Sequence, residues 1–260
     1  MNLAIEVNGL TKSYKTKSGD TIDAVKGIDL HVAEGEILAF LGSNGAGKTT
    51  TIEILEGFRD RTAGDVVVLG QDPQTAPLSW REDIGIVLQE SQPDADLTAR
   101  EAVGMYASYY DAPRPVNEVL QIVGLGDSAD QRTKALSGGQ KRRLDLAIAL
   151  VGDPKLIFLD EPTTGFDPSA RREAWEMIEH LRDVGATVLL TTHYMDEAEH
   201  LADRIVVISG GVIAAEGSAA DLADQVKLHT RISWDAADAP SEAVPAPFRS
   251  LLVTSASEIS

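Results

Sequence analysis

The stretch Gly42-Ser43-Asn44-Gly45-Ala46-Gly47-Lys48-Thr49 follows the apolar run Ile37–Leu41 and leads into Thr51-Ile52-Glu53-Ile54-Leu55. A G-x-x-x-x-G-K-T pattern between a β-favouring run and a helical one predicts a strand, a phosphate-binding loop and a helix that begins at its last residues. The predicted helix runs from Thr49 to Phe58. Glycines there allow backbone N–H groups to turn toward a polyphosphate, and the helix N-terminus adds positive potential. Lys48 then reaches the outer phosphates, and the Thr49 hydroxyl is a candidate magnesium ligand.

A second apolar run, Leu156-Ile157-Phe158-Leu159, ends on Asp160, Glu161 and Pro162. Two adjacent carboxylates at the end of a buried strand carry a desolvation cost that a magnesium ion offsets, so Asp160 is the candidate metal partner. Strand alternation is expected to point Glu161 to the other side, where it can accept a proton from attacking water.

A third element, Leu136-Ser137-Gly138-Gly139-Gln140, precedes Leu144, Ala147, Ile148 and Val151 at helical spacing. Ser137 fits the N-cap, and the glycines leave first-turn N–H groups open for a second phosphate contact. One nucleotide does not need two such helix starts, which points to sites shared between subunits.

Around these motifs the chain alternates strand and helix. Ala4–Val7, Ile28–Val32 and Glu36–Leu41 suggest an antiparallel start, followed by a strand at Val66–Leu69. From about Leu97 to Val151 the pattern is helical, with helices expected at Thr98–Tyr110 and Val116–Val123. Leu156–Leu159 and Thr187–Thr191, separated by a helix near Ala170–Asp183, imply a parallel sheet. Ile205–Ile208 and Val212–Ala215 flank Ser209-Gly210-Gly211 as a hairpin. Beyond Leu228 the pattern decays into an Ala-, Pro- and acid-rich tail, with one weak strand at Leu251–Val253.

Composition narrows the class. A formal net charge of −18 gives no global footprint for nucleic acid. Zero cysteines exclude disulfides and thiolate metal sites. No uninterrupted apolar run approaches the roughly 18 to 20 residues that cross a bilayer, so the chain is expected to be soluble when isolated. The acidic helix carrying Asp196, Glu197 and Glu199, and the basic run Lys141-Arg142-Arg143, read as solvated helix faces.

The ordered set GSNGAGKTT, VLQE, LSGGQ, LIFLDEP, GFDP and TTH resembles the nucleotide-binding domain of ABC transporters over about Leu3 to Glu216. The stretches QKRRLDLAIALVGDPKLIFLDEPTTGFDP and TTHYMDEAEHLADRIVVI are especially similar to ATPase subunits of drug, antibiotic and polysaccharide exporters of the daunorubicin-resistance type. The resemblance implies an α/β P-loop cassette with a RecA-like core, an antiparallel β subdomain and a helical subdomain at about residues 90–150. The cassette itself is expected to span 1–220, with a tail or accessory region at 221–260.

The resemblance also implies ATP and Mg2+ as ligands. Nucleotide contacts fall to Tyr14, stacking on adenine, to Gly42, Ser43, Asn44, Gly45, Ala46, Gly47, Lys48, Thr49 and Thr50, and to Ser137, Gly139 and Gln140 from a second copy. Thr49, Gln89 and Asp160 match the metal positions. Glu161, His193, Gln89 and Lys48 match the catalytic ones, and Asp167 the loop between the two sites. Ser43 and Phe166 replace a common Pro and Leu, and neither side chain supplies a phosphate or metal ligand.

The implied partners are a second copy in a head-to-tail dimer and an integral membrane permease at the cytoplasmic face of the cell membrane, with no nucleic acid. A soluble ABC ATPase in a role such as cofactor assembly stays open on the residues alone. A phosphate-loop kinase leaves LSGGQ and the Asp160–Glu161 pair unexplained.

Overall fold

The computed structural model describes residues 2–16, 18–87, 94–183 and 185–227. Gln89, the loop after it, and the tail with its expected strand at Leu251–Val253 lie outside the described residues. The chain divides into two compact units, Met1–Leu222 and Ala223–Ser260.

The first unit is built on two sheets. Strands β1 (Leu3–Lys15), β2 (Thr21–Ala33) and β4 (Ala63–Val68) form an antiparallel sheet in the order β2-β1-β4. Strands β3 (Ile37–Leu41), β5 (Ile84–Val87), β6 (Leu156–Asp160), β7 (Thr187–Thr192), β8 (Arg204–Ser209) and β9 (Val212–Gly217) form the second, in the order β5-β6-β7-β3-β8-β9. Within it every pairing is parallel except β8 with β9.

The expected antiparallel start is therefore corrected at its third strand. β3 leaves β1 and β2 and lies between β7 and β8, parallel to both. Its side chains Ile37, Leu38, Ala39 and Phe40 are fully buried. A run with no polar face needs cover on both sides, which a central parallel strand receives and a half-exposed antiparallel strand does not.

Two apolar cores follow from the period of two along these strands. Leu38, Phe40, Phe158, Leu189 and Val206 pack toward the antiparallel sheet and helix α1 (Lys48–Leu55). Ile37, Ala39, Ile157, Leu159, Val188, Leu190 and Ile205 pack on the opposite face against the helices. Each fully buried side chain of this size contributes about 1.5–3 kcal/mol.

The helical region holds α2 (Ala99–Ala107), α3 (Val116–Ile122) and α4 (Gly138–Leu150). Thr98 and Ser137 each start a helix with a reciprocal capping box, closed by Glu101 and Gln140. Helices α5 (Pro168–Asp183) and α6 (Met195–Leu201) flank β7, and α7 (Ala219–Lys227) ends the described chain. None of the described helices is long and apolar enough to cross a membrane.

Candidate nucleotide-binding site

The loop between β3 and α1 lies at the carboxyl end of the parallel sheet. Gly42 starts it, its N–H donating to Thr192 O on β7 at 3.3 Å. A Cβ at Gly42 would stand 2.6 Å from Ile208 O, so close packing against β8 demands glycine here. Gly47 takes φ +111°, and a Cβ there would lie 2.7 Å from Ala24 O. This left-handed residue turns the chain into α1 and leaves its N-cap without a side-chain hydrogen bond. The N–H groups of Lys48 and Thr49 have no helical acceptor by geometry, so the helix start is open to an anion.

Ser43, Asn44, Gly45 and Thr49 are exposed, whereas Ala46, Gly47 and Lys48 are buried. Ala46 N–H donates to Ser43 O, and Gly211 N–H at the β8–β9 turn donates to Ala46 O. These bonds brace the loop from below while its outer half stays accessible. Lys48 is 6% exposed, and its Nζ donates to Gly42 O at 2.6 Å and to Ser43 O at 3.4 Å. The ammonium is thus folded back along its own loop.

The carboxylates of β6 meet this lysine. Glu161 Oε1 lies 3.7 Å from Lys48 Nζ and 3.3 Å from His193 Nδ1. Strand alternation, which the sequence led one to expect, is not what aims Glu161. The residue has φ +46°, a left-handed turn that swings it off the strand end. Its N–H donates to Thr191 Oγ1 at 3.0 Å, and Thr164 Oγ1 donates to its Oε2 at 3.1 Å. A non-glycine residue held in this region costs of order 1–3 kcal/mol and persists where neighbours over-determine it. Asp160 stays on the strand, and its Oδ1 accepts from Thr191 Oγ1 at 2.5 Å.

Tyr14 on β1 reaches α1, its hydroxyl 3.4 Å from Thr50 Oγ1. Lys12 Nζ lies 5.1 Å and the Arg59 guanidinium 5.4 Å from its ring centre. Lys48, the loop carbonyls, Glu161, His193 and Asp160 with Thr191 thus gather at one sheet end. Ser137 and Gln140 bond to each other, and Gln140 also bonds to Ser128. Gly138 and Gly139 have open space where a Cβ would stand. Asp167 caps α5, its Oδ1 accepting from the N–H groups of Ser169 and Ala170. Among the described residues the recorded bonds of Ser137, Gln140 and Asp167 do not reach the loop.

Two residues read as solvated are buried. Arg142 is 8% exposed and donates to Asp160 O at 3.1 Å and to Pro162 O at 3.2 Å, tying α4 to the strand end that carries the carboxylates. Burial pulls its guanidinium below the ordinary arginine value, against the raising effect of Asp145, Asp160 and Glu197. Glu197 on α6 is 1% exposed, and its Oε1 accepts from Thr163 Oγ1 and Trp175 Nε1. Helical spacing offered the signal for Arg142, because Asp145, Leu146 and Ala149 on the same face of α4 are buried too.

An open helix start, a buried ammonium that meets carbonyls and a carboxylate, an exposed Thr49 hydroxyl on the first turn of α1 and the Asp160 carboxylate at the end of β6 form a donor set that fits a polyphosphate with a hard divalent cation. The family model described as ABC transporter matches residues 25–164. The daunorubicin/doxorubicin resistance ATP-binding protein DrrA of Streptomyces peucetius is 42% identical over 224 residues, 84% of this chain and 66% of that protein. The Nod factor export ATP-binding protein I of Rhizobium sp. (strain N33) is 42% identical over 221 residues, 83% of this chain and 71% of that protein. The chain thus spans about two thirds of the length of these relatives.

Among solved structures, the dimeric post-hydrolysis ATP-binding cassette MJ0796 bound to ADP and Pi superposes with a TM-score of 0.72 at 27% identity. It covers 83% of this chain and 98% of its own. The structure of cbiO1 from Clostridium perfringens, part of the ABC transporter complex cbiONQ, gives a TM-score of 0.76 at 27% identity, covering 88% of this chain and 93% of its own. The loop, the paired carboxylates, the capped glycine helix and these likenesses agree: the chain belongs to the ABC transporter family and is one of its ATP-binding, ATP-hydrolysing cassettes.

Proposed function

We propose that this cassette powers export of a drug, antibiotic, lipid or polysaccharide through a separate permease, working as a head-to-tail pair on the cytoplasmic face of the membrane. The observation that carries the reading is the convergence of Lys48, Glu161 and His193 within 3.7 Å contacts at the mouth of the phosphate loop. The kind of cargo rests on the likeness to relatives named for daunorubicin/doxorubicin resistance and Nod factor export.

In this reading the loop N–H groups and Lys48 bind and orient the phosphates, and Tyr14 stacks on the base. Lys48 and Glu161 face each other directly, so Lys48 has a carboxylate to exchange for phosphate oxygens. Glu161, released from Lys48, accepts the proton of the attacking water. His193 lies beside it, where it can donate to the terminal phosphate. Thr49 and Asp160, with Gln89, would hold Mg2+, whose charge neutralises the phosphates and helps orient them. Catalysis then comes mainly from positioning and electrostatics. Ser137 and Gly139 of one copy would close over the nucleotide of the other, with Gln140 beside them and Asp167 linking the two sites.

The permease would dock near Gln89 and the helical region. Asp94–Leu97 forms a turn there, with Asp94 O accepting from Thr133 Oγ1 at 2.6 Å and Asp96 pairing with Lys134 at 2.8 Å. Affinity purification from native membranes tests the reading. Recovery of a polytopic membrane protein, with ATPase activity stimulated in the complex, is expected. A chain that stays in the soluble fraction with no such partner would favour a soluble ATPase role instead.

A further inference from the structure

The His193 side chain is 33% exposed on the short link between β7 and α6, where the backbone alone leaves its ring free to turn. Its neighbour supplies a surface for it. The rings of His193 and Tyr194 stack with centroids 4.0 Å apart and an interplanar angle of 40°. Toward the same tyrosine ring comes Arg171, its guanidinium carbon 4.5 Å from the ring centre. Arg171 belongs to the first turn of α5, where its N–H donates to Asp167 O at 2.9 Å.

The arginine is held in an unusual way. Its Nη1 donates to Asp196 Oδ2 at 3.4 Å, an ion pair with the carboxylate largely exposed. Its Nε is a buried side-chain nitrogen without a hydrogen-bond partner, the one such atom recorded among the described residues. A buried N–H without an acceptor is unfavourable, and an exposed ion pair contributes too little to hold it there. The face of Tyr194 supplies the missing stabilisation, as aromatic faces do for guanidinium groups.

We infer that Arg171 and Tyr194 are positioning residues that hold the His193 imidazole against Glu161, so that α5, which Asp167 caps, sets the histidine. The contacts run in one series: Arg171 over Tyr194, Tyr194 against His193, and His193 Nδ1 at 3.3 Å from Glu161 Oε1. The effect on turnover rests on the proposed role of His193 in hydrolysis. The effect on the ring itself does not.

Two readouts on the purified chain separate these. The His193 ring C–H signal in an NMR spectrum is identified as the one lost in His193→Ala. In Arg171→Met that signal should shift and broaden as the ring gains freedom, while the His31 signal on β2 stays in place. In ATPase assays Arg171→Met and Tyr194→Leu should lower kcat about tenfold with KM within about twofold, a loss expected when a cation–π contact organises the reacting groups. Tyr194→Phe, which keeps the ring, should restore kcat to within about twofold of wild type. An unmoved His193 signal, or wild-type kcat in both Arg171→Met and Tyr194→Leu, overturns the inference. If His193→Ala itself turns over ATP like wild type, the proposed role of the histidine falls, and the NMR signal alone decides whether the bracket exists.

Discussion

Glu56, at the end of α1, is 4% exposed, and burial pushes its carboxyl from 4.5 up to about 8, with the charges of Asp160 and Glu53 adding to the effect. At neutral pH the folded protein keeps this proton and the unfolded chain has lost it. The sign follows from linkage: the native state binds more protons, so the contribution is fully present below about pH 4.5 and is lost as pH rises toward 8. At about 1.4 kcal/mol per pH unit, the full span corresponds to about 5 kcal/mol, a large part of a domain's net stability. Glu56→Gln keeps the shape and a hydrogen-bonding head while removing the titration. Between about pH 5.5 and pH 8 the variant should gain about 3 kcal/mol over wild type, or roughly 10 °C in Tm near pH 8. Urea unfolding of both proteins at several pH values measures this directly. A difference between them that does not change with pH would refute the assignment of Glu56 as a buried, protonated acid.

Lys48→Ala should leave the fold intact and weaken ATP binding about 10- to 100-fold by calorimetry, since a charged hydrogen bond to phosphate is lost. Gly47→Ala places a Cβ 2.7 Å from Ala24 O at φ +111°, so it should lower Tm and abolish ATP binding, read by differential scanning calorimetry with and without nucleotide. Glu197→Ala leaves the Thr163 hydroxyl and Trp175 N–H without their acceptor and should cost about 3 kcal/mol in urea unfolding, whereas a surface acid such as Glu199 should cost less than about 0.5 kcal/mol.

The phosphate loop, the carboxylate pair and the capped glycine helix were readable because each is local. A glycine pattern, a strand end and the Ser137 N-cap before its glycines lie within a few residues of chain. The helix after the loop starts at Lys48, one residue before the expected Thr49, and ends at Leu55 rather than Phe58, while the strand ending at Asp160 and the hairpin at Gly210-Gly211 lie where the pattern put them. What escaped reading depends on contacts distant in sequence. β1 and β2 are each 13 residues long, far beyond their apolar cores, because bulges near Val7 and Leu10 and polar edges carry the pairing onward. The placement of β3 between β7 and β8 needs partners about 150 residues away. Arg142 and Glu197 looked like solvated charge because charge is usually exposed, yet each is buried where backbone carbonyls or a hydroxyl and an indole await it. The left-handed turn at Glu161 has no signature in residue type, since it is imposed by Thr191 and Thr164.

Phosphate release from Mg-ATP by wild type and by Glu161→Gln, with retained ATP measured on the same samples, bears most directly on hydrolysis at this site. The wild-type chain should release phosphate. The variant should release it at least about a hundredfold more slowly while binding ATP as tightly, because the amide preserves the turn and the contacts but cannot accept the proton from water. Equal rates in the two proteins would contradict the assignment of Glu161 as the base and of this cleft as the place where ATP is hydrolysed.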